Sequence, residues 1–404
     1  MEIPKAAIDI INKLGEASYE AYFVGGCVRD MLMGIEPKDW DITTSAAPEQ
    51  IKSLLKRTVD TGIKHGTVTI VASGKNYEVT TYRLDGEYLN FRHPEQVIFT
   101  SDLKEDLRRR DFTVNAIAYH PTGGYIDFFE GTKDIEAKTI RGVGDASERF
   151  REDALRMLRA VRFACQLGFS IEDNTFEALK KNSELIAHVS MERIRDELVK
   201  AFTSEHVSKA VYFTRCTILN HALPFLADYL DGHFGGFLER LEKLQMPERT
   251  CVNALALLFK DMESTEAAKT LRLLKMDNAT ARDISLISKE VNKEIPSDLY
   301  YVKKTMANIG VENYFALLNC KIACGENVKP LKELGTQALE RGEPIFIKDM
   351  KINGNVLKER FGVSGVEVGM LLNALHEEVL KDFEKNNEAA LIEAAMEILT
   401  NRRS

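Results

Sequence analysis

The chemistry in this sequence begins with two aspartates in the stretch KDWDITTSA, residues 38–46. Asp39 and Asp41 flank Trp40 at the head of an apolar, β-branched run. In an extended chain residues i and i+2 face the same side. Read as a strand, WDITT (40–44) therefore projects the two carboxylates together and turns Trp40 and Ile42 inward, with Trp40 as core. Two like charges so placed repel and resist burial unless a basic group or a cation compensates them. Magnesium suits such a pair, because it takes oxygen ligands and keeps positions for water and phosphate oxygens. A third carboxylate, Glu78 in YEVTT, sits on a second expected strand and would join the pair if the two strands are neighbours.

Upstream, FVGGCVRD (23–30) reads as a strand, a glycine turn and a helix start. Backbone N–H groups at Gly25 and Gly26 make an anion-binding arrangement, and Arg29 adds positive charge on the first helical turn. A turn that cradles phosphates and a pair that holds the metal bridging them are complementary parts. Downstream, REDALR (151–156) sets Asp153 and Arg156 at i and i+3 on one expected helix face. Aspartate only accepts hydrogen bonds and arginine only donates them. Cytosine and adenine both present an amino donor beside a ring-nitrogen acceptor, whereas guanine and uracil present the reverse. A fixed acceptor–donor pair therefore matches C and A. A mismatched base leaves buried polar groups unpaired, which costs roughly a few kcal/mol. The bland alternative is an intrahelical ion pair.

These residues need a scaffold to hold them. YEAYFVGG (19–26) reads as a strand, CVRDMLMG (27–34) as a helix closed by Gly34, and APEQIKSLLKR (47–57) as a helix. HGTVTIVASGKNYEVTTYRL (65–84) reads as a hairpin around residues 73–76, and DGEYLNFRHPEQVIFT (85–100) as a mobile loop. Beyond about residue 145 helical periodicity takes over, as in DALRMLRAVRFACQLGF and SMERIRDELVKAF. The fold class expected is an α/β head followed by an elongated all-α neck, body and tail. The expected boundaries are 1–145 for the head, 146–205 for the neck, 206–300 for the body and 301–404 for the tail.

GGCVRDMLMG followed by KDWDITTSA resembles the nucleotidyltransferase superfamily of DNA polymerase beta. More closely, it is similar to the class II tRNA nucleotidyltransferases, the bacterial CCA-adding enzymes, together with the related poly(A) polymerases. The resemblance continues through EDLRRRDFTVNAIAY (105–119) and RFREDALRMLRAVRFACQLGF (149–169), with a weaker likeness at 352–380. It implies a polymerase-beta-like head, template-independent addition of C, C and A to tRNA 3′ ends from CTP and ATP, and two magnesium ions. It implies Asp39 and Asp41 as metal ligands, and Glu78 on the neighbouring expected strand stands beside them as the candidate third catalytic carboxylate. Gly26, Arg29, Arg110, Asp153, Arg156, Arg159 and Arg162 match its nucleotide contacts. On a continuous helix at about 100° per residue, Arg159 and Arg162 turn away from the base edge, which assigns them to phosphate or packing. The segment RLDGEYLNFRHPEQ (83–96) resembles the element that switches from C to A addition, with Arg83 and Asp85 as its candidates. Two alternatives stay open: a poly(A) polymerase or A-adding enzyme, and a non-catalytic structured-RNA binding protein.

The whole chain of 404 residues is 44% hydrophobic and 29% charged, ordinary values for a globular protein too long for one core. Its formal net charge of −8 gives no global footprint for nucleic acid, so any RNA-binding surface must be a local basic patch. Six irregularly spaced cysteines suggest free thiols in a cytoplasmic protein. No secretory leader and no apolar run of about 18 residues is visible, so no membrane partner is expected.

Overall fold

The computed structural model describes residues 2–85, 88–89, 93–94 and 97–403. They fall into two compact units, the first ending at Leu238 and the second beginning at Glu239. The first opens with α1 (Lys5–Glu16), whose Ala7, Ile10, Ile11 and Leu14 recur on one face and are buried. The expected strands follow as β1 (Ala21–Val24), β2 (Ile42–Thr44), β4 (Thr67–Ala72) and β5 (Lys75–Thr81), and a further strand, β3 (Thr58–Gly62), precedes the hairpin where none is expected from sequence. β6 (Arg83–Asp85) pairs with β9 (Val97–Phe99), and β7 (Tyr88–Leu89) with β8 (His93–Pro94). The expected loop at 85–100 thus contains two short ladders; residues 86–87, 90–92 and 95–96 lie outside the described residues. β10 (Ile117–His120) and β11 (Gly124–Asp127) complete a seven-stranded sheet of order β11-β10-β1-β2-β5-β4-β3. Only β2 and β5 in it run parallel.

The hairpin expected at 73–76 forms with a tighter turn. Ser73 (φ 51°) and Gly74 (φ 74°) alone make it, and Lys75 already pairs with Ala72. Two successive positive φ values match the twist of the flanking strands. On the sheet lie α2 (Gly26–Leu32), α3 (Pro48–Leu54), α4 (Leu103–Arg108) and α5 (Gly131–Glu136). The head core packs Phe23, Trp40, Ile42, Val68, Val79 and Ile117 against α1.

The chain then crosses β12 (Thr139–Ile140), parallel to β13 (Ser170–Ile171), into α6 (Ala146–Glu152), α7 (Leu155–Leu167), α8 (Asp173–Asn182) and α9 (Met191–Phe202). The boundary expected at 145/146 falls inside the first unit. There the Gly142 N–H donates to Thr175 Oγ1 and the Thr113 N–H to the Arg141 carbonyl. The continuous helix expected through Asp153 is corrected. Asp153 is extended (φ −138°, ψ 105°), and its carboxylate accepts the Leu155 N–H at 3.1 Å, so α6 stops and α7 begins there. Among its described residues the second unit is all helical, from Cys251–Phe259 to Glu388–Arg403. No helix among the described residues is long and apolar enough to cross a membrane.

Candidate active site

A cleft of about 660 Å³ within the first unit gathers the glycine turn, the aspartate pair and the arginines of α7. At one end Gly25 ends β1 with φ 76° and ψ −135°, a conformation open to glycine and strained for other residues. A Cβ there would stand 3.2 Å from Arg110 Nη1 and 3.9 Å from Asp41 Oδ2. The bare backbone is therefore what lets the turn, Arg110 and Asp41 meet.

Asp39 and Asp41 precede β2 instead of lying within it, a correction to the strand expected at 40–44. The Asp41 carbonyl accepts the Val24 N–H at 3.0 Å, which pins the residue to β1. The alternation survives: Trp40 is buried with its ring 5.1 Å from that of Phe23, and both aspartates line the cleft. Burial, opposed by the charge of Arg110 and aided by the like charges of Glu78 and Asp39, pushes the Asp41 carboxyl up to about 6. Glu78 is close because β2 and β5 pair Ile42 with Val79. It is absent from the cleft lining, and no group of three or more His, Cys, Asp or Glu among the described residues has metal-holding geometry.

A chain of hydrogen bonds ties the glycine end to α7. Arg29 Nη1 donates to Asn115 Oδ1 (2.8 Å), Asn115 Nδ2 to Asp111 Oδ1 (3.4 Å), and Arg159 Nε to Asp111 Oδ2 (2.7 Å). Burial pushes the Asp111 carboxyl up, but the charges of Arg159 and Arg156 and the bonds from Arg159 and Asn115 prevail and hold it at about 2. Arg162 Nε donates to Glu197 Oε2 on α9. Burial, with the like charge of Arg159, pushes Arg162 down against the pull of Glu197.

At the far end Arg193 Nη2 on α9 donates to Asp153 Oδ2 at 2.8 Å. Arg156 donates from Nη1 to Glu152 Oε2 (2.6 Å) and from Nη2 to the Arg109 carbonyl (2.8 Å). The helix break shows why the expected facing of Asp153 and Arg156 on one helix does not apply. A cap and Arg193 of α9 hold Asp153; Glu152 and the Arg109 carbonyl hold Arg156; and Arg159 and Arg162 line the cleft with them. Arg109 and Arg110 follow the end of α4, both tied to the fully buried Asp106, while Arg108 stays on the surface against Glu105.

Arg83 is not brought to the cleft. Its N–H donates to Asp106 Oδ1 at 3.3 Å and its guanidinium to the His65 carbonyl. Asp85 pairs through its backbone with Val97 in the β6–β9 ladder. Asp106, Asp111, Asn115, Phe163, Gln166, Arg193 and Glu197 take part in the site and were not singled out from sequence. A signal existed for two of them: Asp111 and Asn115 interrupt the apolar run DFTVNAIAY, and polar residues in such a run are buried only with partners.

Comparison with known proteins agrees with this geometry. The sequence matches the Poly A polymerase head domain over residues 21–141, the RNA and SrmB-binding site of polymerase A over 168–230, and tRNA nucleotidyltransferase domain 2 over 245–395. The CCA-adding enzyme of Lactobacillus gasseri is 38% identical over 402 residues, 97% of each chain. That of Lactiplantibacillus plantarum is 38% identical over 399 residues, 97% of this chain and 95% of the relative. The crystal structure of the Bacillus stearothermophilus CCA-adding enzyme in complex with CTP superimposes with a TM-score of 0.86 at 32% identity, covering 100% of this chain and 99% of that one. With a glycine turn, an aspartate pair, and Asp153 with Arg156 in one cleft, and this similarity over nearly its whole length, the chain belongs to the CCA-adding enzyme family.

Proposed function

We propose that the cleft binds CTP and ATP with magnesium and transfers their nucleotidyl groups to the 3′ end of a tRNA, adding C, C and A in turn. The observation that carries this is the convergence of the Asp39/Asp41 pair, the Gly25–Gly26 turn and Asp153 with Arg156 in a single cleft. The donor set fits magnesium. The aspartates offer oxygen ligands, and the Asp41 carboxyl is crowded by two other carboxylates with Arg110 opposing them. Bound by Asp39 and Asp41, two ions would activate the primer 3′-hydroxyl and neutralise charge on the leaving pyrophosphate. Glu78 acts from the neighbouring strand through its charge.

The chain's own residues do the positioning. Gly25 and Gly26 lack the Cβ that would keep phosphates from their backbone. Arg29, Arg110, Arg159 and Arg162 supply donors for the triphosphate. Asp153 offers an acceptor and Arg156 a donor, each held in place before substrate arrives. Of about four lone-pair positions on the Asp153 carboxylate, Leu155 and the two Arg193 contacts take three, leaving one on Oδ2 for a base amino group. Arg83 and Asp85 belong to a β6–β9 arm that serves the change from C to A. The six free cysteines suit work in the cytoplasm.

The test is extension of a tRNA ending at its discriminator base, with each nucleoside triphosphate singly and in pairs. Wild-type protein should add C from CTP alone and A only when CTP is also present. Asp153→Ala or Arg156→Ala should raise incorporation from GTP and UTP. An unchanged four-nucleotide profile in both variants would remove the base-reading role.

A further inference from the structure

We propose that Phe163 is a positioning residue for the nucleotide's phosphates, gathering Arg29, Arg159 and Arg162 around one aromatic ring. This rests on the cleft being the nucleotide site. The three guanidinium carbons lie 5.5, 5.2 and 3.9 Å from the Phe163 ring centroid, all inside the range of about 6 Å over which a ring attracts a cation. Phe163 lines the cleft and is 6% exposed. The fully buried Phe112 meets it at 5.8 Å with an interplanar angle of 82°, an edge-to-face contact that fixes the ring.

Each arginine also has its own carboxylate: Asp30 for Arg29, Asp111 for Arg159 and Glu197 for Arg162. Those anions come from α2, from the turn after α4 and from α9. The ring is common to all three, so it sets the spacing of the charges relative to one another. Its chemistry suits a triphosphate site. A further carboxylate would hold the arginines as firmly, but it would repel the substrate and cancel their charge. An aromatic face attracts the cations through its quadrupole while carrying no net charge and no acceptor lone pair. A leucine would fill much of the same space without that attraction.

The experiment measures dissociation constants for CTP and ATP with wild-type protein, with Phe163→Leu, and with a series carrying mono-, di- and trifluorophenylalanine at position 163. Fluorination weakens the ring's negative face stepwise while nearly preserving its shape. Binding of both nucleotides should weaken by the same factor in Phe163→Leu, about 10-fold. It should fall stepwise along the fluorinated series, with the preference for C and A over G and U unchanged. A fluorinated series with flat affinity would make Phe163 a packing residue and overturn the proposal, even if Phe163→Leu were too unstable to measure. If instead CTP affinity is the same in Asp153→Ala as in wild type and is insensitive to magnesium, the cleft reading itself falls, a result distinct from a flat series.

Discussion

Acidifying the protein and replacing Asp111 with asparagine should remove the same interaction by two routes. Asp111 is 6% exposed and takes two contacts from Arg159, at 2.6 and 2.7 Å. Its carboxyl lies at about 2 against an ordinary 3.8. At about 1.4 kcal/mol per pH unit, that gap is worth about 2 kcal/mol of folding stability. The sign follows from a depressed folded value: the stabilisation is complete above about pH 4, where the unfolded carboxyl is ionised, and is lost as pH falls toward 2. Trp40, the one tryptophan of the chain, is buried in the same unit, so its fluorescence reports the unfolding of that unit in urea. The free-energy difference between wild type and Asp111→Asn should be about 2 kcal/mol from pH 7 down to about pH 5, and should close as pH drops toward 2. If the two proteins keep a constant separation down to pH 3, the pair with Arg159 does not supply this stability and the electrostatic account of the cleft's floor is wrong.

Three further outcomes follow from the metal and glycine ends of the cleft. Magnesium should raise the thermal midpoint of wild-type protein and leave that of Asp41→Asn nearly unmoved, since the ion relieves repulsion among Asp41, Glu78 and Asp39; equal rises in both would clear Asp41 of metal binding. Asp41→Asn should also be inactive in addition while still binding tRNA, and retained catalysis would contradict its role. Gly25→Ala should lose most nucleotide binding at a stability cost of about 1–3 kcal/mol, because φ is 76° and the new methyl would meet Arg110 Nη1 at 3.2 Å; a CTP affinity equal to that of wild type would show that the turn needs no close approach.

The head was legible because its signals are local. β4 and β5 are β-branched runs, Ser73-Gly74 turns them, and the i, i+2 rule placed Asp39 and Asp41 on one side even though β2 starts later than expected. The helix break at Asp153 was also written locally: an aspartate two residues before LRMLRAV is a capping signal. The strong apolar period that follows it in α7 masked it. What stayed illegible was tertiary. Arg193 and Glu197 come from α9, where SMERIRDELVKAF reads as a solvated amphipathic helix, and nothing in their spacing says that they face Asp153 and Arg162. Asp106 reads as the acidic start of α4, yet it is fully buried under Arg109, Arg110 and Thr43. Such pairings depend on which elements pack together, which a periodic pattern does not encode.

The acidic chain and its anionic substrates are reconciled by the composition of this cleft. Among the described residues, seven arginines and four aspartates line it, and no lysine does, inside a chain of net charge −8. Arginine carries five donors in a rigid fork, so one side chain can bind a protein carboxylate and still present donors to a phosphate. Arg29, Arg159 and Arg162 are each anchored this way before any nucleotide arrives. A lysine ammonium, one compact charge on a flexible stem, would have to choose between its structural partner and the substrate. The aspartates therefore do two separate jobs. Asp111 is ionised and fully engaged, holding an arginine in place, whereas Asp41 is crowded by like charge and gains most when a cation arrives. With a divalent cation on the β2-side carboxylates, as proposed, nucleotide and metal together would satisfy both excesses at once, positive on the α7 side and negative on the β2 side, which would favour their entry as a complex over the entry of either alone.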